Sequence, residues 1–224
     1  MLPSAMGCGG CQIEDAVRRN VLEKSALMAA LFQGTSMPDR DWWSALWPDP
    51  EGLLQQVGIR RGMSVLDLCC GDGYFTGPLA ELVDGRLAAL DLDPDMIALA
   101  KAEVERRHAS VRQWICADAT SLAERLDEPV DYVLIANTFH GVPDQIGLAR
   151  SVRAALRPDG LFCIVNWHPR PREETVVLGQ PRGPRTEMRM PIEAVRTVVE
   201  PAGFTMLRVV DLPPYHYAAV FQVA

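Results

Sequence analysis

Val65-Leu66-Asp67-Leu68-Cys69-Cys70-Gly71-Asp72-Gly73-Tyr74-Phe75-Thr76 decides the architecture of this chain. An apolar run broken by one acid enters a turn holding two cysteines and two glycines. An apolar, helix-like pattern leaves it. A strand, a tight turn and a helix in this order start a parallel, helix-covered sheet. Ligands of such sheets bind beyond the carboxyl ends of the strands, where the strand order reverses. The turn can therefore serve a phosphate, a nucleoside or a metal. Gly71 and Gly73 let the backbone pass close to whatever is bound.

Outward from the turn, strands and helices alternate. "MSVLDL" (63–68) reads as a first strand and "YFTGPLAELV" (74–83) as a helix. "GRLAALDL" (85–92) is the second strand. "DPDMIALAKAEVERR" (93–107) is a helix with Asp93 as N-cap and Pro94 at its first position. "SVRQWICAD" (110–118) is strand three. "VDYVLIANT" (130–138) is strand four, apolar enough to be buried on both faces. "PDQIGLARSVRAALRPDG" (143–160) reads as a helix stopped by Pro158 and Gly160, and "LFCIVNW" (161–167) as strand five. The end differs. "MPIEAVRTVVEPAGF" (190–204) is a helix, and "TMLRVVDLPPYHYAAVFQV" (205–223) reads as two strands turning at Pro213 and Pro214. In that reading Tyr215, His216 and Tyr217 are turn and edge residues. The expected fold is α/β: Rossmann-like, doubly wound, a mostly parallel seven-stranded sheet with a C-terminal antiparallel hairpin near one edge.

Before this region, Ile13, Val17, Val21, Met28, Leu31 and Phe32 recur at helical spacing and Gly34 ends the run. "MPDRDWWSALWPDPEG" (37–52) reads as a short helix between turns. These segments suggest an N-terminal helical cap over 1–52 and a main domain over 53–224.

Composition narrows the function classes. The 224 residues are 48% hydrophobic and 23% charged, with a formal charge of −7. An acidic surface repels phosphate backbones, so nucleic acid is not an expected partner. No apolar run reaches the roughly 20 residues that cross a bilayer. The first residues lack a basic start followed by an apolar core, and six cysteines without one read as reduced thiols, so a cytoplasmic location is expected. Cys8 and Cys11 precede the first helix, where a thiol pKa can be lowered; a tail without a chemical role is the plainer reading.

The turn discriminates among ligands. A P-loop needs Lys-Ser or Lys-Thr after its glycines, and none follows. A dinucleotide turn needs a third glycine where Thr76 stands; Gly77 is one place late. Asp67 and Asp72 repel a pyrophosphate and attract a cation. Cys69 and Cys70 are adjacent, without the spacing of metal ligands, and no metal is expected.

Asp67-Leu68-Cys69-Cys70-Gly71-Asp72-Gly73 resembles the acidic, glycine-spaced motif of class I S-adenosylmethionine-dependent methyltransferases. Leu90-Asp91-Leu92-Asp93-Pro94-Asp95-Met96 resembles that family's second-strand motif. Cys116-Ala117-Asp118-Ala119 resembles its acidic motif beside the adenine, and Leu156-Arg157-Pro158-Asp159-Gly160 its turn into strand five. The nearest branch is that of small-molecule enzymes resembling ubiquinone and menaquinone methyltransferases. The resemblance implies S-adenosylmethionine as cofactor, in contact with Asp67, Cys69, Gly71, Gly73, Asp91, Leu92, Asp118, Ala119 and Asn137. It assigns Asp91 to the ribose hydroxyls and Asn137 to the methionine moiety. Cys69 departs from the motif, replacing its first glycine.

Methyl transfer needs a nucleophile in line with an activated methyl, exclusion of water, and a base where the nucleophile carries a proton. The tips of strands four and five offer His140 and His168 as base or substrate contacts, with hydrogen-bonding loop residues as the plainer alternative. The segment 168–190 carries Arg170, Arg172, Arg182, Arg185 and Arg189. Arginines bind anions bidentately, so Arg182 and Arg185 are candidates for an anionic small-molecule substrate. A solvated loop balanced by Glu173, Glu174 and Glu187 is the competing reading. Trp43, with Trp42 and Trp47, is a candidate substrate wall or simply core. Homodimerisation stays open. The alternatives are an adenosyl-binding protein without catalysis and an NAD-dependent oxidoreductase. Protein or nucleic-acid methylation lacks support, because Asn137-Thr138-Phe139-His140 stands where an Asn-Pro-Pro-aromatic motif would.

Overall fold

The computed structural model describes residues 40–224. The helix expected over 12–32, Cys8 and Cys11 lie outside the described residues.

Two short helices come first: α1 (Arg40–Leu46) and α2 (Pro50–Gln56), the latter capped by the Asp49 side chain. The alternating region then follows as β1 (Val65–Leu68), α3 (Thr76–Leu82), β2 (Leu87–Asp91), α4 (Pro94–Arg106), β3 (Gln113–Cys116), α5 (Leu122–Arg125), β4 (Val130–Ala136), α6 (Gln145–Ala155) and β5 (Leu156–Trp167). A two-residue hairpin, β6 (Val176–Val177) and β7 (Gln180–Pro181), sits in the next loop. The chain closes with α7 (Ile192–Val199), β8 (Phe204–Leu212) and β9 (His216–Val223).

The main sheet runs β3-β2-β1-β4-β5-β9-β8. Its first five strands pair in parallel, and β9 is antiparallel to both β5 and β8. Strand order reverses between β1 and β4. That is the place where a doubly wound sheet opens a crevice for a ligand.

The alternation along each strand divides the core into two layers. Val65, Tyr132, Leu134, Cys163, Val165 and Trp167 face one layer, together with Trp42, Trp43 and Trp47. Leu66, Leu68, Val133, Ile135, Phe162 and Ile164 face the other. β1 and most of β4 are buried on both sides, as continuous apolar runs require. Residues 40–47 therefore do not stand apart from the sheet; their indoles belong to its core.

Two expectations are corrected. The helix expected to reach Pro158 ends at Ala155, and β5 begins at Leu156. Proline disfavours helical backbone in the residue before it, so Arg157 turns extended, and Leu156 pairs with Val130. His216 and Tyr217 are not edge residues. They open β9, which lies between β5 and β8, and both are fully buried. Tyr215 does occupy the turn.

Candidate functional site

The β1 turn is shaped by backbone conformations that favour glycine. Cys69, Gly71 and Gly73 have φ of 61°, 55° and 85°. A Cβ on Gly73 would come within 2.6 Å of the Ala100 Cα on α4, so only glycine lets turn and helix approach this closely. Cys69 takes the left-handed backbone with its side chain in place, at a strain cost of about 1 kcal/mol.

Two carboxylates hold the turn. Asp91, the last residue of β2, accepts the Gly71 N–H at Oδ2 and the Asp93 N–H at Oδ1, both at 2.9 Å. Each oxygen retains a lone pair for a further donor. Burial raises the Asp91 carboxyl, the backbone N–H groups of Asp93, Gly71 and Leu92 pull it back, and the Asp93 charge adds to the rise. Asp67 is buried at the tip of β1 and accepts the Thr76 hydroxyl at 2.6 Å. Burial pushes it up to about 7, against the Thr76 hydrogen bond and with the Asp91 charge adding to the rise. At the tip of β3, Asp118 caps a short 3-10 turn, its Oδ1 accepting the N–H and hydroxyl of Thr120. Leu92 and Ala119 directly follow these last two strand tips.

Past the end of β4, Asn137 is held with φ of 58° by its own N–H donating to the Val165 carbonyl at 2.9 Å. Its side-chain Oδ1 is buried and, among the described residues, accepts from nothing. His140 lies on the 3-10 turn that follows, its Nδ1 3.3 Å from Asn166 Oδ1 on β5. With an amide oxygen opposite, Nδ1 carries the proton and Nε2 is the basic nitrogen. Burial, with the Arg189 charge adding, keeps the ring below the usual histidine range, so it is neutral at pH 7. His140 also lines an open groove of about 480 Å³ with Gln145, Met188 and Met190. His168 differs: its Nε2 is committed to Asp211 Oδ1 at 2.9 Å, and its side chain is 26% exposed.

On the opposite face of β5, an aromatic cluster surrounds Trp167. Trp42 stacks on Trp43 at 4.5 Å and Trp43 on Trp47 at 5.4 Å. The Tyr74 hydroxyl ties this stack to the glycine turn by donating to the Trp43 and Trp47 carbonyls. Arg40 on α1 adds an ion pair to Glu103 of α4 at 3.0 Å.

The arginine segment splits. Arg185 is exposed beside Glu187 at 3.4 Å. Arg182 lies over the Trp42 ring at 5.9 Å with Nε buried and unpartnered. Arg189 is 5% exposed and sits over Trp167 at 5.0 Å. Its Nε donates to the Pro184 carbonyl and its Nη2 to Thr175 Oγ1 and the Arg182 carbonyl. The structure thus brings Arg182 and Trp43 into one neighbourhood and leaves Arg185 outside it. Sequence reasoning gave Arg189 no special role among five arginines, and missed His216. The β5–β9 register, which pairs His216 with Trp167, is the signal that finds it.

Residues 65–160 match the family model described as a methyltransferase domain. The demethylmenaquinone methyltransferase of Lactococcus lactis subsp. lactis (strain IL1403) is 28% identical over 137 residues, covering 60% of this chain and 52% of that protein. That of Bacillus mycoides (strain KBAB4) is 30% identical over 119 residues, covering 52% and 50%. The chain spans about half the length of the curated relatives it matches. Among solved structures, a SAM-dependent methyltransferase from Aquifex aeolicus superposes with a TM-score of 0.68 at 22% identity, over 83% of this chain and 94% of that one. The N-methyltransferase NodS from Bradyrhizobium japonicum WM9, in complex with S-adenosyl-L-homocysteine, gives 0.63 at 16% identity, over 83% and 93%. These likenesses establish the fold.

Proposed function

We propose that this chain, whose residues 65–160 form a methyltransferase domain of the class I S-adenosylmethionine-dependent family, transfers a methyl group from S-adenosylmethionine to a small-molecule acceptor. One observation carries the reading. The Asp91 carboxylate stands at the mouth of the crevice, each oxygen held by one backbone N–H and each able to accept one more donor. Two vicinal ribose hydroxyls supply such a pair. The buried, unpartnered Asn137 Oδ1 fits a cationic ammonium on the same ligand. The acceptor set suits an adenosyl group bearing hydroxyl donors and positive charge, and its carboxylate repels a pyrophosphate, so the NAD reading is not favoured.

S-adenosylmethionine supplies a methyl carbon on a sulfonium: an acceptor lone pair forms the new bond as the carbon–sulfur pair leaves with sulfur. The chain's own residues do the rest. Asp91 would accept the ribose hydroxyls. Leu92, Asp118 and Ala119 would hold the adenine. Gly71 and Gly73, with Cys69, would let the turn approach the bound ligand closely. Asp67 and Thr76 support that turn from below. The α1 indoles shield the reacting region from water. His140, neutral and oriented by Asn166, takes the acceptor's proton at Nε2. His168, already bound to Asp211, is the weaker candidate for that role.

Calorimetry with S-adenosylmethionine, S-adenosylhomocysteine and NAD tests the reading: the first two should bind and NAD should not. Binding of NAD alone would end it. With an acceptor identified by labelled methyl transfer, His140→Gln should lower the rate about 100- to 10,000-fold while S-adenosylhomocysteine affinity holds. An unchanged rate would remove His140 from the proton transfer.

A further inference from the structure

The unpartnered polar atoms on the Trp167 side of β5 share a chemistry. Trp42 Nε1, Trp47 Nε1, Arg182 Nε, Arg189 Nη1 and both ring nitrogens of His216 are buried, and none has a hydrogen-bond partner among the described residues. Their side chains form one contact group. His216 lies 4.0 Å from Trp167 and 4.5 Å from Trp47 by ring centroid, and Trp42 lies 6.1 Å from Trp167. The two guanidiniums stand over Trp167 and Trp42.

All but one of these atoms are donors. Indole and guanidinium nitrogens cannot accept, and a neutral imidazole offers one donor and one acceptor. His216 is neutral, its pKa driven down by burial and by the nearby His168, Arg189 and His140. The excess is of donors, and an accepting group would match all of them except the one acceptor nitrogen of His216. A core would be expected to satisfy such donors with its own carbonyls.

Charge points the same way. Neither Arg182 nor Arg189 has a carboxylate within ion-pair distance among the described residues. Glu173 and Arg172 on the same loop act on Arg189 in opposite senses, and burial lowers its pKa. Three hydrogen bonds fix the Arg189 plane, so Nη1 is a preorganised donor and not a floating charge. Gly183 packs against the Trp167 ring, where an added Cβ would meet the indole at 2.7 Å. The seat is therefore closed on the loop side by backbone.

The cluster lies across β5 from the histidine: Trp167 follows Asn166, whose Oδ1 holds His140 on the other face, and the Arg189 charge reaches that same histidine from the Trp167 side. We propose that this ring of donors seats a carboxylate of the methyl acceptor, whose flat apolar body lies against Trp42 and Trp167. The word acceptor rests on the methyl-transfer reading above; the anion seat does not. A neutral quinone would leave the two arginines without a counter-charge, so the acceptor class differs from the demethylmenaquinone for which the relatives are named.

The test uses the full chain saturated with S-adenosylhomocysteine, with benzoate as probe and benzamide as its uncharged isostere, both read by calorimetry. Benzoate should bind about tenfold or more tightly than benzamide, the difference that one charge-assisted contact supplies. Arg189→Gln should lose about that factor for benzoate while its S-adenosylhomocysteine affinity stays unchanged. Arg182→Gln gives the same reading should loss of Arg189 unfold the loop. Arg185→Gln, outside the seat, should behave as wild type. No benzoate binding, equal binding of the two probes, or unchanged benzoate affinity in both seat variants overturns the proposal. Arginine-dependent benzoate binding to a chain that ignores S-adenosylhomocysteine would sustain the anion seat and remove the methyl-transfer reading.

Discussion

Asp67 carries a consequence for stability that its neighbours do not. Its carboxyl is 3% exposed and raised from 3.8 to about 7. A folded pKa above the unfolded one stabilises the fold fully below about pH 4, and that contribution is lost as pH rises through about 7. Asp67→Asn keeps an acceptor for Thr76 and removes the charge. Without ligand, the variant should match wild type at pH 4 and exceed its unfolding free energy at pH 8 by roughly 4 kcal/mol at most, at 1.36 kcal/mol per unit. Urea titrations at both pH values read this directly; parallel curves would show that Asp67 is not the buried acid described. At the neighbouring acid, Asp91→Ala should weaken S-adenosylhomocysteine about 100-fold, the worth of two hydrogen bonds to a charged acceptor. Cys69→Gly should leave stability unchanged or raise it by up to about 1 kcal/mol, because glycine meets no strain at φ of 61°. A clear loss in a denaturant titration would mean that the thiol packs more than the strain costs.

Among the elements, α1 and α4 hold the glycine turn between them. Glu103 on α4 is 6% exposed and meets Arg40, Arg106 and Arg107. Burial alone would raise its carboxyl, yet the hydrogen bonds of Arg106 and Arg107 and the Arg40 charge bring it below 4.5. A depressed acid stabilises the fold above its unfolded pKa and loses that contribution as pH falls through the folded one. The arginines are partly solvated, so the contribution is modest. Glu103→Gln should cost about 1–2 kcal/mol at pH 7, and the gap should narrow as pH falls below about 4.5, by chemical denaturation. A gap independent of pH would point to packing instead of charge. Much at this scale was legible beforehand: Asp93 does cap α4 and Pro94 opens it, since capping is a local matter of one side chain and the next N–H groups. The limit of α6 was not, because the pairing of Leu156 with Val130 competes with helix propensity from a distant strand.

The molecule as a whole ties its N-terminal helices to its sheet. Trp42, Trp43 and Trp47 share one core layer with Tyr132 and Trp167. Deleting the chain through Trp47 uncovers that layer and should cost several kcal/mol, at about 3–5 kcal/mol for each large buried aromatic removed. Calorimetry of the intact chain should show one transition, and that of the truncated chain a transition at clearly lower temperature. A truncated chain as stable as the intact one would show that the indoles only decorate the surface.

Strand, turn and helix followed from the amino-acid order alone, because hydrophobic period, glycine spacing and capping act within a few residues. Asp67, Asp91 and Asp118 are picked out by the resemblance of their motifs to a family, and they do stand at or just past successive strand ends. Which arginine is buried and which histidine faces the indoles was decided only by tertiary structure. Trp167 and His216 meet through the antiparallel β5–β9 register, and Arg189 comes to lie over Trp167 only when the intervening loop folds back. Burial is a property of what packs against a side chain from elsewhere in the chain, and no local pattern encodes it.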